Sequence, residues 1–451
     1  MQNSDPTVTD IIVVGAGGCG LMAALASARN GAQVLVLEKT DKPGGGTALS
    51  SKGIRAAGSR LQREANVADS PELYARDILR RNNYESDVDL TQHLAETSGR
   101  VADLLSDVAG IEFELGEFAF GHSAKRSHSW KPNKTVTDFL YEAVQREKSV
   151  RVCFSTPVRA LRQDLSGAVT GVVTDDGVIA GRKIILASGG FGASVELLSQ
   201  YIPKAVDIPF PGHDGSTGDG IKMGIAAGAA TENMAAFQPY PAYLGPGKRA
   251  VPPEVALSGG IMVNVGGKRF VDETRYPGGL GIKMLDLPGK QAYEIFDQRI
   301  YELHSGSPGV RSLAALFDSG ILKKAPTLDE LADKLGIDAG GLKQTVEEYN
   351  HAAGRGKDMF GRALPQPFIA PYYGIKVTVA LYHTQGGLKV NPNGQVLRSD
   401  GSIIPNLYAG GGVAVGVSGK GLEGYLPGNG LLASLGLGMR AGEHASLSLK
   451  Q

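Results

Sequence analysis

The sequence has 451 residues, enough for one large domain or two moderate ones, and its 46 Lys+Arg balance 46 Asp+Glu for a formal net charge of zero. That balance offers no basic face for nucleic acid, and no long block of like charge occurs. Two cysteines, Cys19 and Cys153, supply neither a disulfide framework nor a metal-ligand spacing, so packing is their expected role; the 63 glycines are spread through turns instead of forming a linker.

The first ten residues carry no basic segment and no twin arginine, so no export signal is expected. Residues 11–28 are uncharged but interrupted by a six-residue glycine turn, which reads as strand plus helix and not as a membrane span. The expectation is a soluble, cytoplasmic protein. The apolar run from Ile11 to Val14 predicts a strand. Gly15-Ala16-Gly17-Gly18-Cys19-Gly20 then predicts a tight turn, Leu21 to Arg29 a helix, and Val34 to Leu37 a second strand ending at Glu38 and Lys39. Each part has a task in nucleotide binding. Gly15 permits the turn, Gly17 lets backbone approach a pyrophosphate, and Gly20 lets the helix pack on the sheet. The helix N-terminus faces the phosphates, and Glu38 sits where a carboxylate takes ribose hydroxyls. An ordinary glycine turn in a βαβ unit is the competing reading.

Asp41 to Arg55 follows directly, with Gly45, Gly46, Thr47, Ser51 and Gly53 offering N–H groups and a hydroxyl without bulk. That suits a second wrap around a long cofactor; a surface loop is the alternative. Residues 69–108 carry apolar side chains at helical spacing, and 150–185 alternate short strands with glycine turns in a meander. Between them the loop 121–136 gathers His122, Lys125, Arg126, His128 and the only tryptophan, Trp130. It reads either as an exposed basic loop or as a segment holding a polar or anionic substrate group. Proline and tyrosine cluster after Phe237, and segments around AYEIFDQRIYELH, TLDELADKLG and LKQTVEEYNHAAG read as helices.

The glycine fingerprint, Glu38-Lys39 and GGGTALSSKG together resemble the FAD-binding half of the FAD-dependent oxidoreductase 2 family, which includes fumarate reductases and 3-ketosteroid dehydrogenases. KIILASGGFGA (183–193), GHDGSTGDGIKMGIAAG (212–228), GGIMVNVGGKRFVDE (259–273), HTQGGL (383–388) and IPNLYAGG (404–411) match further motifs in the same order. The resemblance implies an α/β chain: a Rossmann-type, glutathione-reductase-like FAD-binding domain (1–237 and 373–451) with an inserted α+β capping domain (238–372). It implies FAD contacts at Gly15, Ala16, Gly17, Gly20, Glu38, Lys39, Gly45, Gly46, Thr47, Ser51, Gly53, Val158, Ser188, Gly189, Asp219, Gly411, Asn429, Leu431 and Leu432. A final helix over 421–444 would present its glycine-rich start to the flavin ring. No histidine lies in 44–51, where covalent relatives attach the flavin, so the FAD is expected to be non-covalent. The family's acidic residue in the C-terminal glycine run is missing, since that run reads Gly410-Gly411-Gly412.

The resemblance also places the chemistry. Fumarate reductases clamp two carboxylates with histidines and arginines; here those positions are Tyr240, Ala256, Pro277, His383 and Tyr425, so a dicarboxylate would lose most of its partners. Each lost charge-assisted contact costs about 1.5–3 kcal/mol. Ketosteroid dehydrogenases instead set a tyrosine hydroxyl and a glycine N–H on a substrate carbonyl, which Tyr425 and Gly428 resemble with one extra residue between them. Their second tyrosine falls near Tyr276, beside Arg275. The implied activity is desaturation of a cyclic ketone, steroid-like or a smaller carboxylated ring. Tyr276 would be the base, Tyr425 and His383 would line the site, and Tyr240, His128 and Trp130 would contact substrate. Tyrosines that merely line an aromatic pocket are the alternative. The reverse reaction, reduction of an enone or enoate, uses the same groups. A flavin carrier without substrate chemistry is a third reading. Electrons would pass to oxygen, a quinone or a soluble carrier.

Overall fold

The apolar run at the start forms the strand Thr9–Val14, buried from Ile11 onward, in the computed structural model, which describes residues 9–50, 53–131, 134–245, 250–275, 278–306, 312–363 and 366–450. It lies inside an eight-stranded sheet ordered Gln395–Leu397, Ile403–Ala409, Gly177–Leu186, Thr9–Val14, Val34–Leu37, Val150–Cys153. Thr9–Val14 pairs in parallel on both sides, Ile11 opposite Val34 and Lys183, Val14 opposite Leu37 and Leu186. Parallel strands covered on both faces read as unbroken apolar runs, which is why IIVV and VLVL show no alternation. Val158–Gln163 and Val169–Thr174 fold antiparallel onto Gly177–Leu186, giving the meander.

Helix Gly18–Arg29 covers this sheet, with Gly18 through Ala28 buried. Helix Leu437–Leu447 packs against it at backbone distance. A Cβ at Gly438 would meet the Cys19 carbonyl oxygen at 2.5 Å, and one at Gly442 would overlap that of Ala23. The two contacts are four residues apart on both helices, one helical turn. The Ser27 hydroxyl adds a bond to the Gly442 carbonyl at 3.1 Å. The expected helix over 421–444 starts later, at Asn429, because Pro427 precedes a left-handed Gly428 with φ 107°. It runs through Asn429–Leu431, a π-helical turn Leu432–Gly436, and Leu437–Leu447. Residues 69–108 form Pro71–Arg81, capped by Ser70, and Val88–Asp107, capped by Asp87.

The chain divides into two compact units, residues 1–206, 212–237 and 383–451 in one, and 207–211 and 238–382 in the other. The second unit has a sheet ordered Phe237–Tyr243, Tyr372–Thr384, Gln291–Asp297, Ile261–Val263. Residues 373–382, expected on the returning side of the insertion, lie in this unit because Tyr372 through Thr378 pair residue for residue with Gln291–Asp297. That pairing also overrides the helical reading of AYEIFDQRIYELH: Gln291–Asp297 is a strand and only Gln298–His304 a helix, capped by Asp297. Helices Leu328–Leu335 and Ala339–Ala352 form where TLDELADKLG and LKQTVEEYNHAAG read as helical, capped by Thr327 and Asp338.

Ionic groups sit inside the second unit. Glu273 is fully buried and accepts from Arg362 at 2.6 Å, Arg269 at 2.7 Å and the Met262 N–H at 2.9 Å. Glu294, 2% exposed, has its carboxyl pushed up to about 8 by burial and by the like charge of Glu273. The native state therefore holds a proton that the unfolded chain releases near pH 4.5. Stability from this group is complete below that pH and drains away as pH rises toward 8. Glu294→Gln removes the cost, so its melting temperature relative to the parent should climb between pH 5 and pH 8. A pH-independent difference in thermal melts would contradict this account.

Candidate active site

The glycine turn is shaped by what glycine lacks. Gly15 has φ 111°, and a Cβ there would press on the Ala187 carbonyl oxygen at 2.7 Å; one at Gly20 would overlap the Gly15 carbonyl oxygen. These two positions serve packing. Gly17 differs: a Cβ there meets only the Gly44 oxygen, at 3.7 Å, and one at Gly46 meets nothing within 4 Å. Gly44 N–H donates to the Ala16 carbonyl at 3.1 Å, joining the two glycine turns into one cradle of free backbone at the start of helix Gly18–Arg29. Gly45, Gly46 and Thr47 lie on the short helix Gly45–Ala48, and Thr47 Oγ1 is 3.4 Å from Ser434 Oγ. A cradle of this kind fits a pyrophosphate, whose oxygens take backbone N–H groups and the positive helix end.

Glu38 lies beside it. Its Oε2 accepts the Ala16 N–H at 2.7 Å, and its Oε1 accepts the Thr40 N–H and hydroxyl, each at 2.9 Å. Lys39 reaches Asp219 and the Thr217 hydroxyl, both at 2.7 Å. Burial alone would raise the Asp219 carboxyl, but the bonds from Lys39 and Thr217 outweigh it and hold the group below its ordinary value. Ser188 Oγ accepts the Gly220 N–H at 3.1 Å, joining the segment Ser188-Gly189 to helix Asp219–Ala226. Val158 opens its strand two residues after Thr156, whose N–H bonds the Glu38 carbonyl at 2.9 Å. Gly53 lies on the strand Gly53–Arg55, and Gly411 begins the turn Gly411–Val413. Leu432 is buried, Leu431 packs on the core, and Asn429 keeps a buried Oδ1 with no hydrogen-bond partner among the described residues. Ser51 lies outside the described residues.

A second cluster lies at the start of the last helix. The His383 and Tyr425 rings meet edge to face, centroids 5.0 Å apart. Burial pulls the His383 imidazole down to about 4, so it is neutral at pH 7. Burial also raises the Tyr425 phenol, only partly offset by the N–H groups of Gly430 and Gly428 and the charge of Arg55. Tyr425 is therefore a neutral hydroxyl, able to donate. Arg55 was not singled out in the sequence. Its stem lies against Gly428, where a Cβ would overlap it. The nearest signal is its place directly after the second glycine-rich loop.

The loop 121–136 satisfies neither expectation. Ser127–Ser129 is a short strand between Gly53–Arg55 and Glu114–Leu115, which turns His128 inward. His128 is fully buried, 2.7 Å from the Ser59 hydroxyl and 2.9 Å from the Arg126 carbonyl, and burial lowers its pKa. Trp130 packs in the main core and donates Nε1–H to the Lys134 carbonyl at 2.9 Å. Arg126 is enclosed with Asp69 and Asp77, at 2.6 and 2.5 Å. These contacts give His128, Trp130 and Arg126 places in holding the fold. In the second unit Tyr240 is buried and stacks on Tyr382, centroids 4.1 Å apart, and Arg275 ends the turn Glu273–Arg275. Tyr276 lies outside the described residues.

Residues 10–431 match the family described as FAD binding domain. A probable fumarate reductase of Shewanella frigidimarina is 29% identical over 97% of this chain and 75% of its own length. A 4-oxocyclohex-2-ene-1-carboxylate 5-dehydrogenase of Sinomonas cyclohexanicum is 28% identical over 96% of this chain and 93% of its own. The crystal structure of a 3-ketosteroid-delta4-(5alpha)-dehydrogenase from Rhodococcus jostii superposes with a TM-score of 0.81 at 26% identity, covering 99% of this chain and 98% of that one.

The cradle separates binding from packing in a testable way. Gly17→Ala, whose new methyl meets only ordinary contact, should keep the parent melting behaviour of the FAD-free protein but weaken FAD binding by roughly tenfold or more. Gly442→Ala should lower the melting temperature, at a cost of about 1–3 kcal/mol. Fluorescence titration of FAD and thermal melts distinguish the two, and unchanged FAD affinity in Gly17→Ala would contradict the assignment.

Proposed function

We propose that this chain, which belongs to the FAD binding domain family and is an FAD-dependent oxidoreductase acting on CH–CH groups, introduces a C=C bond beside the carbonyl of a cyclic ketone. The observation that carries this reading is Tyr425: a neutral hydroxyl next to the N–H groups of Gly428 and Gly430, at a position where a fumarate-type site needs an arginine. A neutral donor pair suits a carbonyl oxygen that gains charge as its α-hydrogen leaves. The other clamp positions of a fumarate-type site read Tyr240, Ala256 and Pro277 in this sequence, none of them charged.

Bound FAD supplies the acceptor for the hydride from the β-carbon. The protein does the rest. Tyr425 and a backbone N–H polarise the carbonyl, which acidifies the α-hydrogen, and Tyr276 takes that proton as a tyrosinate favoured by Arg275 beside it in sequence. Neutral His383 packs against the Tyr425 ring and fixes its direction. Glu38, the Gly17 and Gly44–Gly46 backbone, and Asn429 hold the cofactor without a covalent bond, so FAD should be released on denaturation. An external acceptor (oxygen, a quinone or a soluble carrier) reoxidises the enzyme.

The same groups serve the reverse reaction, reduction of an enone or enoate, and the similarity to a probable fumarate reductase favours that second reading. Tyr425→Phe should lower kcat by about 10²–10³ with the ketone, the usual loss for one donor at a developing oxyanion. Tyr276→Phe should do likewise and also remove the alkaline dependence of kcat/KM. Steady-state kinetics across pH check both, and a Tyr425→Phe enzyme with parental kcat would contradict the role of the hydroxyl.

A further inference from the structure

Among the described residues, most buried and half-buried arginines have partners for their charge. Arg126 pairs with Asp69 and Asp77; Arg269 and Arg362 share Glu273, and Arg269 also holds Asp358. Arg440 has no carboxylate but gives its three nitrogens to Pro392, Asn393 and Thr97. Half-buried Arg55 has no carboxylate to answer it among the described residues. Its Nη1 makes one long bond, 3.3 Å, to the carbonyl of its own neighbour Ile54, and its Nε is buried with no partner among the described residues. No carboxylate among the described residues pairs with it. The phenols of Tyr74 and Tyr425 interact with it electrostatically, and burial lowers its pKa.

A half-buried guanidinium whose Nε is buried without a partner is costly, and an arriving anion would offset that cost. The place is specific. Arg55 ends the strand Gly53–Arg55, and its stem fills the space left by the missing side chain of Gly428, in the turn between Tyr425 and Asn429. The cation thus stands beside the hydroxyl that faces the substrate carbonyl. A guanidinium presents paired N–H groups in a plane, the match for a carboxylate.

We propose that Arg55 recognises a carboxylate on the substrate, which makes the substrate class a cyclic oxo-acid carrying both a ketone and a carboxylate. This rests on the reading of Tyr425 as the carbonyl-binding group. A neutral, steroid-like ketone would leave Arg55 without an anionic partner, so the site should select against it. The recognising cation comes from the strand after the glycine-rich loop, and not from the positions where fumarate reductases carry theirs.

The test uses the holoenzyme and two rings without a ketone, cyclohexanecarboxylate and cyclohexanecarboxamide, titrated against the visible band of bound FAD. The carboxylate should bind at least about tenfold more tightly than the amide. Arg55→Met should abolish that preference while FAD content is retained, Arg55→Lys should restore part of it, and Tyr425→Phe should leave it intact. Equal binding of the two ligands by the parent enzyme, a comparison that needs no variant to fold, would overturn the proposal. So would a preference that survives in Arg55→Met, or an Arg55→Met enzyme in which only the flavin potential shifts. A carboxylate preference without turnover of any oxo-acid would leave Arg55 as assigned and count against the desaturase reading alone.

Discussion

The backbone contact between the first and last helices governs the rest of the first unit. Gly438 and Gly442 meet Cys19 and Ala23 with no side chain between them, while Gly20 lets the same first helix press on the turn at Gly15. One helix is thereby fixed on both sides. Its N-terminus has to open at Gly17, facing Gly44 to Gly46, and the last helix has to begin close by, at Asn429. The π-helical turn Leu432–Gly436 adds a residue to that last helix, so the packing face and the starting turn can both be served by one continuous element. The cradle for the cofactor and the turn carrying Tyr425 are therefore consequences of a single packing constraint.

Charge is the second organising principle. Apart from Arg55, the ions enclosed within each unit are compensated: Arg126 by two aspartates, Glu273 by two arginines. Such groups stabilise little in net terms, because desolvation offsets the attraction, but removing one partner is expensive. They specify which loops close on one another. Against this pattern His383 and Tyr425 are both held neutral by burial, and the charge beside Tyr425 is Arg55, unpaired among the described residues.

The parts of the fold legible in the sequence were those where one residue type is sterically required. Gly15 and Gly20 admit no side chain, and Glu38 follows the second strand directly. What was illegible depended on distant pairing. His128 and Trp130 looked like a polar loop because the strands that turn them inward come from residues 53–55 and 114–115. Gln291–Asp297 carried an amphipathic helical pattern that only its partner Tyr372–Thr384 overrides. Arg55 was passed over for the same reason: nothing local shows that Gly428 makes room for it or that no carboxylate faces it. The cofactor cradle could be read because its signal is local, whereas the cation beside Tyr425 could be read only once the chain was folded.

The most direct measurement is an anaerobic titration of the flavin's visible band in the purified enzyme with saturated cyclic ketones, including 4-oxocyclohexanecarboxylate and a 3-ketosteroid. The account predicts bleaching by the carboxylated ring ketone, stoichiometric with FAD, and little or none by the steroid. Reoxidation of the reduced enzyme by an enone or enoate, with no bleaching by any saturated ketone, would contradict the desaturase direction; silence in both would contradict the carbonyl-binding role of Tyr425.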